Sequence, residues 1–364
     1  MKRDPSRPLR QGFTTGSAAA AAAKAAAMAL LGAGGHPQRV DIPLPGGGRL
    51  EVPLADVRAD GWAWVVKDGG DDPDATHGAR IGCRVELLPD GPAGAVELEG
   101  GPGVGRVTLP GLPVPPGQAA INPVPRRQIA EAVGEALRAG GFSGAARVTV
   151  EVENGEAIAR HTLNPRLGIL GGISILGTAG IVKPFSHEAW RATIASGLAV
   201  ARAAGLTTCA FSTGRRSERM LMAHCPGFFP LSFVQAADFF AFSLRSAVEM
   251  GFTEIVWGCY FGKLAKMAQG LEYTHAHAGA TDFTLLADLA AVAGAAPAIT
   301  QAVAAANTAR HALELVQPAG VRRVFAALTA RRALRAARSF AGPGPRLRLV
   351  CFDFDQGVLS ETGG

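Results

Sequence analysis

The sequence predicts a two-domain protein: a strand-rich α+β part over residues 1–165 containing an Ala-rich helix, and a Rossmann-like α/β domain with a mainly parallel sheet over residues 166–364. Three observations lead there. The chain has 364 residues, 48% of them hydrophobic, enough to bury two cores rather than one. Its first part shows short apolar runs separated by Gly- and Pro-rich turns. From about residue 170, apolar strands alternate with helical patterns, which is the rhythm of βαβ units.

Residues 17–32 are almost pure Ala and predict a helix. Thr14-Thr15-Gly16-Ser17 reads as its start, and Gly32 with Gly34-Gly35 as its stop. Val40–Leu44 and Leu50–Leu54 flank Gly46-Gly47-Gly48 and predict a hairpin. Trp62–Lys67 and Arg80–Leu88 predict strands separated by the acidic loop Asp68–Gly78, and residues 100–123 hold too much Gly and Pro for a regular helix. Ile129, Ala132, Val133, Ala136 and Leu137 share one helical face, which Gly140 ends, and Val148–Val152 predicts a strand. In the second part, Ser186 starts a helix carrying Trp190, Ile194 and Leu198, stopped by Gly205. Strand Leu206–Phe211, helix Gln235–Met250, strand Glu254–Gly258, helices through 261–340 and a last strand Arg346–Phe352 complete the pattern.

The formal net charge is +6, so the surface favours an anionic partner: nucleic acid, an acidic membrane or an acidic metabolite. Aromatics make up 6%, and no Lys/Arg block alternates with them as a single-strand binding platform requires. No stretch is long and apolar enough to span a bilayer. An acidic small molecule therefore leads, with no nucleic acid and no membrane expected. Lys2, Arg3, Arg7 and Arg10 precede the Ala run and imitate a signal peptide, but Lys24 interrupts the run and Ala is weakly apolar, so a cytoplasmic protein is expected. Cys83, Cys209, Cys225, Cys259 and Cys351 form no Cys-x-x-Cys pair, which points to reduced, buried thiols.

Several segments carry chemistry. At Thr14, Thr15 and Ser17, hydroxyls stand beside the free amides of a helix start, an arrangement suited to an anion or to ordinary capping. Lys67–Gly78 crowds Asp68, Asp71, Asp72 and Asp74 with His77 into one loop, and such density suits a general base or a cation. The Gly-rich runs at 100–105 and 168–180 allow close backbone approach to a ligand, though neither forms a dinucleotide fingerprint. Ser212–Glu218 follows a strand and opens a helix, the place where an open α/β sheet binds ligands, and Arg215 and Arg216 there suit carboxylates. Lys263 and Lys266 follow another strand and suit acidic groups as well. His275 and His277 have a spacing that does not suggest a helix-borne metal pair, and no protein metal site is expected. Arg331, Arg332, Arg335 and Arg338 read as a solvated helix face.

Taken in order, six stretches resemble the CbiD family. They are Leu9–Lys24 (LRQGFTTGSAAAAAAK), Val66–Thr76 (VKDGGDDPDAT), Gly101–Pro125 (GPGVGRVTLPGLPVPPGQAAINPVP), Asn164–Pro184 (NPRLGILGGISILGTAGIVKP), Thr213–Glu218 (TGRRSE) and Gly262–Thr274. The resemblance implies methyl transfer from S-adenosylmethionine to C-1 of cobalt-precorrin-5B in anaerobic cobalamin biosynthesis, with cobalt present only as part of the substrate. It agrees with the charge argument, since such tetrapyrroles carry many carboxylates. Many relatives place Cys where this chain has Ala18. Methyl transfer from a sulfonium to a carbon needs no enzyme nucleophile, so activity is expected to survive that change.

On this reading Asp68, Asp71 and Asp72 are the catalytic candidates, and Thr14, Thr15, Ser17, Arg215, Arg216 and Lys263 the substrate-binding ones. Gly101, Gly103, Gly171, Gly172, Ser174 and Thr178 are the candidates for holding the methyl donor. The oligomeric state stays open, a homo-oligomer included. A non-enzymatic binder of an anionic tetrapyrrole and a nicotinamide-dependent reductase of an anionic metabolite also fit the residues alone.

Overall fold

The computed structural model describes residues 7–32, 37–354 and 357–363. Gly34 and Gly35, two of the expected helix-stop residues, lie outside the described residues. Two compact units meet between Ser186 and His187.

In chain order, the first unit contains β1 (Gly12–Phe13), α1 (Thr15–Leu30), β2 (Arg39–Pro43), β3 (Arg49–Pro53), β4 (Asp56–Arg58), β5 (Trp62–Val66), β6 (Arg80–Leu88), β7 (Val96–Gly100), β8 (Gly103–Val104) and β9 (Arg106–Val107). There follow α2 (Pro123–Ala139), β10 (Ala145–Val152), α3 (Gly155–Ala159), β11 (Ile169–Leu170), β12 (Gly172–Ile173) and β13 (Ile181–Val182). A five-stranded sheet runs β4-β5-β6-β10-β7, antiparallel except where β7 joins β10. The expected hairpin is β2–β3, with Val40 opposite Val52. The segment 100–122 contains no helix, and α2 begins at Pro123, the end of the stretch expected to be irregular.

α1 packs against α2 and against β5 and β6. Twelve of its residues are buried, nine of them Ala at 0% exposure. A helix enclosed on every side has no use for a polar face, and a methyl side chain lets neighbouring elements approach closely. Lys24 breaks the run by reaching the rim of the helix, where its Nζ donates to Glu135 at 2.5 Å and to the Asp41 carbonyl at 2.8 Å.

The unit boundary departs from the expected one at residue 165. Residues 166–186 belong with the first unit because three short strands tie them to it. β11 pairs with β9, β12 with β8, and β13 with β1. Strands of two residues are too short to show a sequence period, so only these pairings reveal the allegiance.

The second unit comprises α4 (His187–Ala203), β14 (Thr208–Ser212), α5 (Arg215–His224), β15 (Phe233–Gln235), α6 (Phe240–Glu249), β16 (Glu254–Tyr260), α7 (Phe261–Ala268), α8 (Phe283–Val292), α9 (Pro297–Ala304), α10 (Ala309–Leu315), α11 (Arg322–Ala341), β17 (Arg346–Asp353) and β18 (Gly357–Gly363). Its sheet runs β15-β14-β16-β17-β18, with all pairs parallel except β17–β18. The strands expected at 206–211 and 254–258 fall at 208–212 and 254–260 and pair in parallel, with Phe211 opposite Trp257. Trp257, Phe211, Phe240 and Phe325 are fully buried in the core beside it.

Two expectations here need correction. The helix predicted over Gln235–Met250 starts only at Phe240, because Phe233–Gln235 is a strand and Ala237 turns the chain at φ 47°. The apolar residues of that strand and of the helix run together in sequence and hide the break. β18 was not expected, since this edge strand is mostly Gly, Ser, Thr and Glu, with two buried residues.

Candidate functional site

In the first unit, the loop after β12 wraps the N-terminus of α1. Thr14 caps the helix, its Oγ1 accepting from the Ser17 amide at 3.2 Å, while the Gly16 amide donates to the Leu176 carbonyl at 3.1 Å. Thr15 Oγ1 accepts from the Leu176 amide at 2.8 Å, and Ser17 Oγ donates to the Gly180 carbonyl at 2.7 Å. All three hydroxyl residues are buried. Of the two readings of this helix start, the ordinary cap is present at Thr14 and Ser17, while the Thr14 and Gly16 amides and the Thr15 and Ser17 hydroxyls bond to residues 174–180. Thr14, Thr15 and Ser17 shape the site from within rather than facing out of it.

The acidic loop sits beside the strand that precedes α1. Arg10 pairs with Asp68, and its amide donates to Asp71 at 2.8 Å. Asp68 also accepts from the Gly70 amide at 2.9 Å. Hydrogen bonding to Arg10 holds the Asp68 carboxyl below its usual range despite partial desolvation. Asp72 accepts from the Phe185 amide at 2.8 Å, where Phe185 has φ 58°. The crossing is tight: a side chain at Gly12 would begin 2.2 Å from the Asp68 carbonyl, and one at Gly70 2.2 Å from the Arg10 carbonyl. The structure thus brings Gly12–Ser17, Asp68–Gly78 and residues 174–185 to one place. Leu176 and Phe185 stand exposed there.

Sequence reasoning missed the role of Arg10, and it named Lys67 and His77 only as members of the acidic loop. Arg10 looked like part of a basic leader and proves to hold two of the aspartates. Lys67, 1% exposed, pairs with Asp74 at 2.5 Å and closes the loop. His77 Nδ1 accepts from the Gly69 amide at 2.9 Å, which leaves Nε2 as the site of the ring proton when the imidazole is neutral. The one signal in the sequence was a lysine adjoining four aspartates.

The glycines assigned to the methyl donor do come together, since β8 and β12 pair with Gly103 opposite Gly172. Yet a Cβ at Gly103 would lie 1.9 Å from the Val152 carbonyl, and one at Gly172 2.1 Å from the Gly103 carbonyl. The space is filled by backbone, so these two glycines serve chain packing rather than an open cradle. Gly101 faces Glu151, 2.8 Å from where its Cβ would stand. Ser174 is buried and donates to Asn164 Oδ1 at 3.2 Å. Gly171 and Thr178 are exposed.

In the second unit, the sheet order reverses beside β14, so its C-terminal end and that of β16 flank a crevice. Arg215 and Arg216 open α5 there, and Lys263 lies in the first turn of α7. The two arginines differ. Arg216 lies over the Phe354 ring at 4.9 Å from its centroid and donates to the Phe354 carbonyl at 2.8 Å, while Phe354 stacks on Tyr260. Arg215 is exposed and has no ion pair or hydrogen bond to a described residue. Lys263 pairs with Asp238 and donates to the Thr274 carbonyl at 3.3 Å. Lys266 is instead buried and donates to the carbonyls of His275 and Gly279, both at 2.9 Å, and burial lowers its pKa. It organises the 275–279 loop.

Among the described residues no group of three or more His, Cys, Asp or Glu is placed to hold a metal ion, and no helix is long and apolar enough to cross a membrane.

Comparison with known proteins follows the same division of the chain. The CbiD family model matches residues 2–184, and the model of the CbiD C-terminal domain matches residues 273–363. A cobalt-precorrin-5B C(1)-methyltransferase of Nitratidesulfovibrio vulgaris is 54% identical over 363 residues, covering 97% of this chain and 93% of that protein. The Geobacillus kaustophilus protein of that name is 45% identical over 94% of this chain and 91% of its own, and the one from Polaromonas naphthalenivorans 42% identical over 100% of both. A crystal structure of the cobalamin biosynthesis protein cbiD from Archaeoglobus fulgidus shares 27% identity over 72% of this chain and 80% of that one, with a TM-score of 0.41. With family models matching both ends of the chain and relatives above 40% identity along nearly all of it, this chain belongs to the CbiD family.

Proposed function

We propose that this protein is a cytoplasmic, S-adenosylmethionine-dependent methyltransferase that adds a methyl group at C-1 of cobalt-precorrin-5B to give cobalt-precorrin-6A. The observation that carries this reading is the 54% identity, over 97% of the chain, to a relative of that name. When bound, S-adenosylmethionine supplies the methyl group as a sulfonium electrophile. The protein's part is alignment, which in well-oriented systems lowers a barrier by up to roughly 7–11 kcal/mol. Asp68, Asp71 and Asp72 gather negative charge at one surface, suited to facing a cationic sulfonium or to taking a proton at a carboxylate oxygen. Arg215 offers a guanidinium fork with no ion-pair partner among the described residues, matched to a carboxylate of the macrocycle. Arg216 supports it by packing on Phe354, and Lys263 adds positive charge held by Asp238. Gly171 and Thr178 stand where a donor can reach them. Gly101, Gly103, Gly172 and Ser174 contribute by fixing the backbone beneath. Ala18 is fully buried within α1 and has no access to a reacting group.

The test is direct. Purified protein, given S-adenosylmethionine and cobalt-precorrin-5B without oxygen, should yield a product heavier by one methyl group. Mass spectrometry that shows only starting material, under conditions where a known family member reacts, would remove the assignment. Binding of the corrinoid without S-adenosylmethionine affinity would mark a carrier, and affinity for a nicotinamide nucleotide a reductase.

A further inference from the structure

A second place in the first unit has the chemistry of a ligand site and no assigned role. A cleft of about 420 Å³ opens between the edge strand β7 and the start of α2, lined by Glu99, Gly100, Arg106, Ala119 and Arg126 among others. That size lies within the range of small-molecule pockets. Arg126 is half-buried in the first turn of α2 and fixed by backbone: its Nε donates to the Ile121 carbonyl at 2.8 Å and its Nη2 toward the Ala119 carbonyl at 3.4 Å. Arg106 donates to the Gly117 carbonyl at 2.5 Å. Neither guanidinium has a carboxylate partner among the described residues.

The electrostatics of this arrangement are incomplete. Partial burial of a cation is unfavourable without a counter-charge, and the positive end of a helix dipole adds to the cost. The first turn of α2 holds no acidic residue to offset it. An anion in the cleft completes the site. Glu99 lines the same cleft without joining an ion pair to either arginine, so opposite charges face one space while held apart. A ligand group with a carboxylate and an ammonium on neighbouring atoms satisfies both. We infer that this cleft binds a zwitterionic α-amino-acid group, with the carboxylate on Arg126 and Arg106 and the ammonium on Glu99.

The inference rests on the reading of the protein as S-adenosylmethionine-dependent, because that donor ends in such a group.

Calorimetric titration with three probes tests this. S-adenosylhomocysteine carries the amino-acid end, 5′-methylthioadenosine keeps the nucleoside and thioether but lacks it, and cobyrinic acid has carboxylates without an ammonium. Arg126→Met and Glu99→Gln should each weaken S-adenosylhomocysteine roughly 10- to 100-fold, the worth of one charge-assisted hydrogen bond. Binding of the other two probes should stay within about twofold. Glu99→Gln guards against misfolding, since Glu99 is exposed and anchors no backbone group, whereas Arg126 does. Unchanged S-adenosylhomocysteine affinity in both variants overturns the assignment, as does an equal loss for 5′-methylthioadenosine. A loss confined to cobyrinic acid also overturns it and gives the cleft to a tetrapyrrole carboxylate. A parent protein that fails to bind S-adenosylhomocysteine removes the methyltransferase reading itself, and this inference with it.

Discussion

Lys67 and Asp74 form an ion pair at 2.5 Å that closes the acidic loop from inside, with the lysine side chain 1% exposed. The same lysine holds the neck of the loop through its backbone, donating to the Ala79 carbonyl at 2.9 Å and accepting from the Gly78 amide at 2.8 Å. Asp74 in turn accepts from the Thr76 amide and hydroxyl at 2.8 and 2.7 Å. A buried cation thus organises the loop that displays Asp68, Asp71 and Asp72.

Removing one partner of such a pair strands the other charge. Lys67→Met should destabilise the protein by about 3–5 kcal/mol, the usual cost of breaking a buried pair from one side. Urea unfolding measures it. A loss below about 1 kcal/mol would place the pair with exposed ones.

Asp74 and Glu135 join Asp68 among the carboxyls of the first unit held below their ordinary values. Desolvation pushes Asp74 up, but the Lys67 charge and the hydrogen bonds from Lys67 and Thr76 outweigh it and hold the carboxyl below its ordinary value. Hydrogen bonds from Arg49 and Lys24 lower Glu135 to about 2. A group with a depressed folded pKa contributes stability above its unfolded value, near 4 for a carboxyl, and loses it as pH falls through the folded one. Stability should therefore decline below about pH 4 in the parent. Glu135→Gln should flatten that decline while lowering stability at neutral pH. Urea midpoints between pH 2.5 and 7 that follow the same curve in both proteins count against this account.

The paired arginines after β14 should separate in experiment. Arg215→Ala should weaken corrinoid binding and its salt dependence without moving the melting temperature, because Arg215 is exposed and makes no hydrogen bond or ion pair with a described residue. Arg216→Ala should lower the melting temperature, because it removes a cation stacked on Phe354 and a hydrogen bond to that residue's carbonyl. The expected loss is about 1–2 kcal/mol. Parallel melting curves and salt series on the two variants check it. The same result for both would restore them to one role.

Much of this architecture was legible because it repeats. The helix face at Ile129–Leu137 declares a 3.6-residue period, and the strands at 208–212 and 254–260 stand out as apolar runs alternating with helices. The pairings of β1, β8, β9, β11, β12 and β13 do not, because strands of two residues have no period, and they set the boundary between the units. The candidate site was legible as composition but not as connection. Four aspartates and the adjoining Lys67 could be seen in one loop, whereas the partners Arg10 and the Phe185 amide come from other segments that only folding brings near, and the burial of the Lys67–Asp74 pair shows only in the fold. The glycine runs misled in the opposite sense. Glycine permits close approach without saying whether a ligand or the chain itself draws near.

That ambiguity has a measurable consequence at Gly103 and Gly171, both of which have positive φ, 76° and 80°. A methyl group at Gly103 would begin 1.9 Å from the Val152 carbonyl, while one at Gly171 meets nothing within 4 Å. Gly171→Ala should therefore cost only the backbone strain of the left-handed region, about 1–2 kcal/mol. Gly103→Ala adds a backbone clash that no rotamer relieves, and it should cost several kcal/mol more or prevent folding, as overpacking in a dense region does. If Gly103 served chiefly to admit a ligand, its Ala variant would fold with near-parent stability and lose only donor binding. Thermal melts of the two variants, read beside S-adenosylhomocysteine titration of whichever folds, decide between these uses. Parent-like melting of Gly103→Ala with donor binding abolished would return that glycine to the donor site, whereas a collapse confined to Gly103→Ala, with Gly171→Ala folded, assigns it to the packing of β8 against the end of β10.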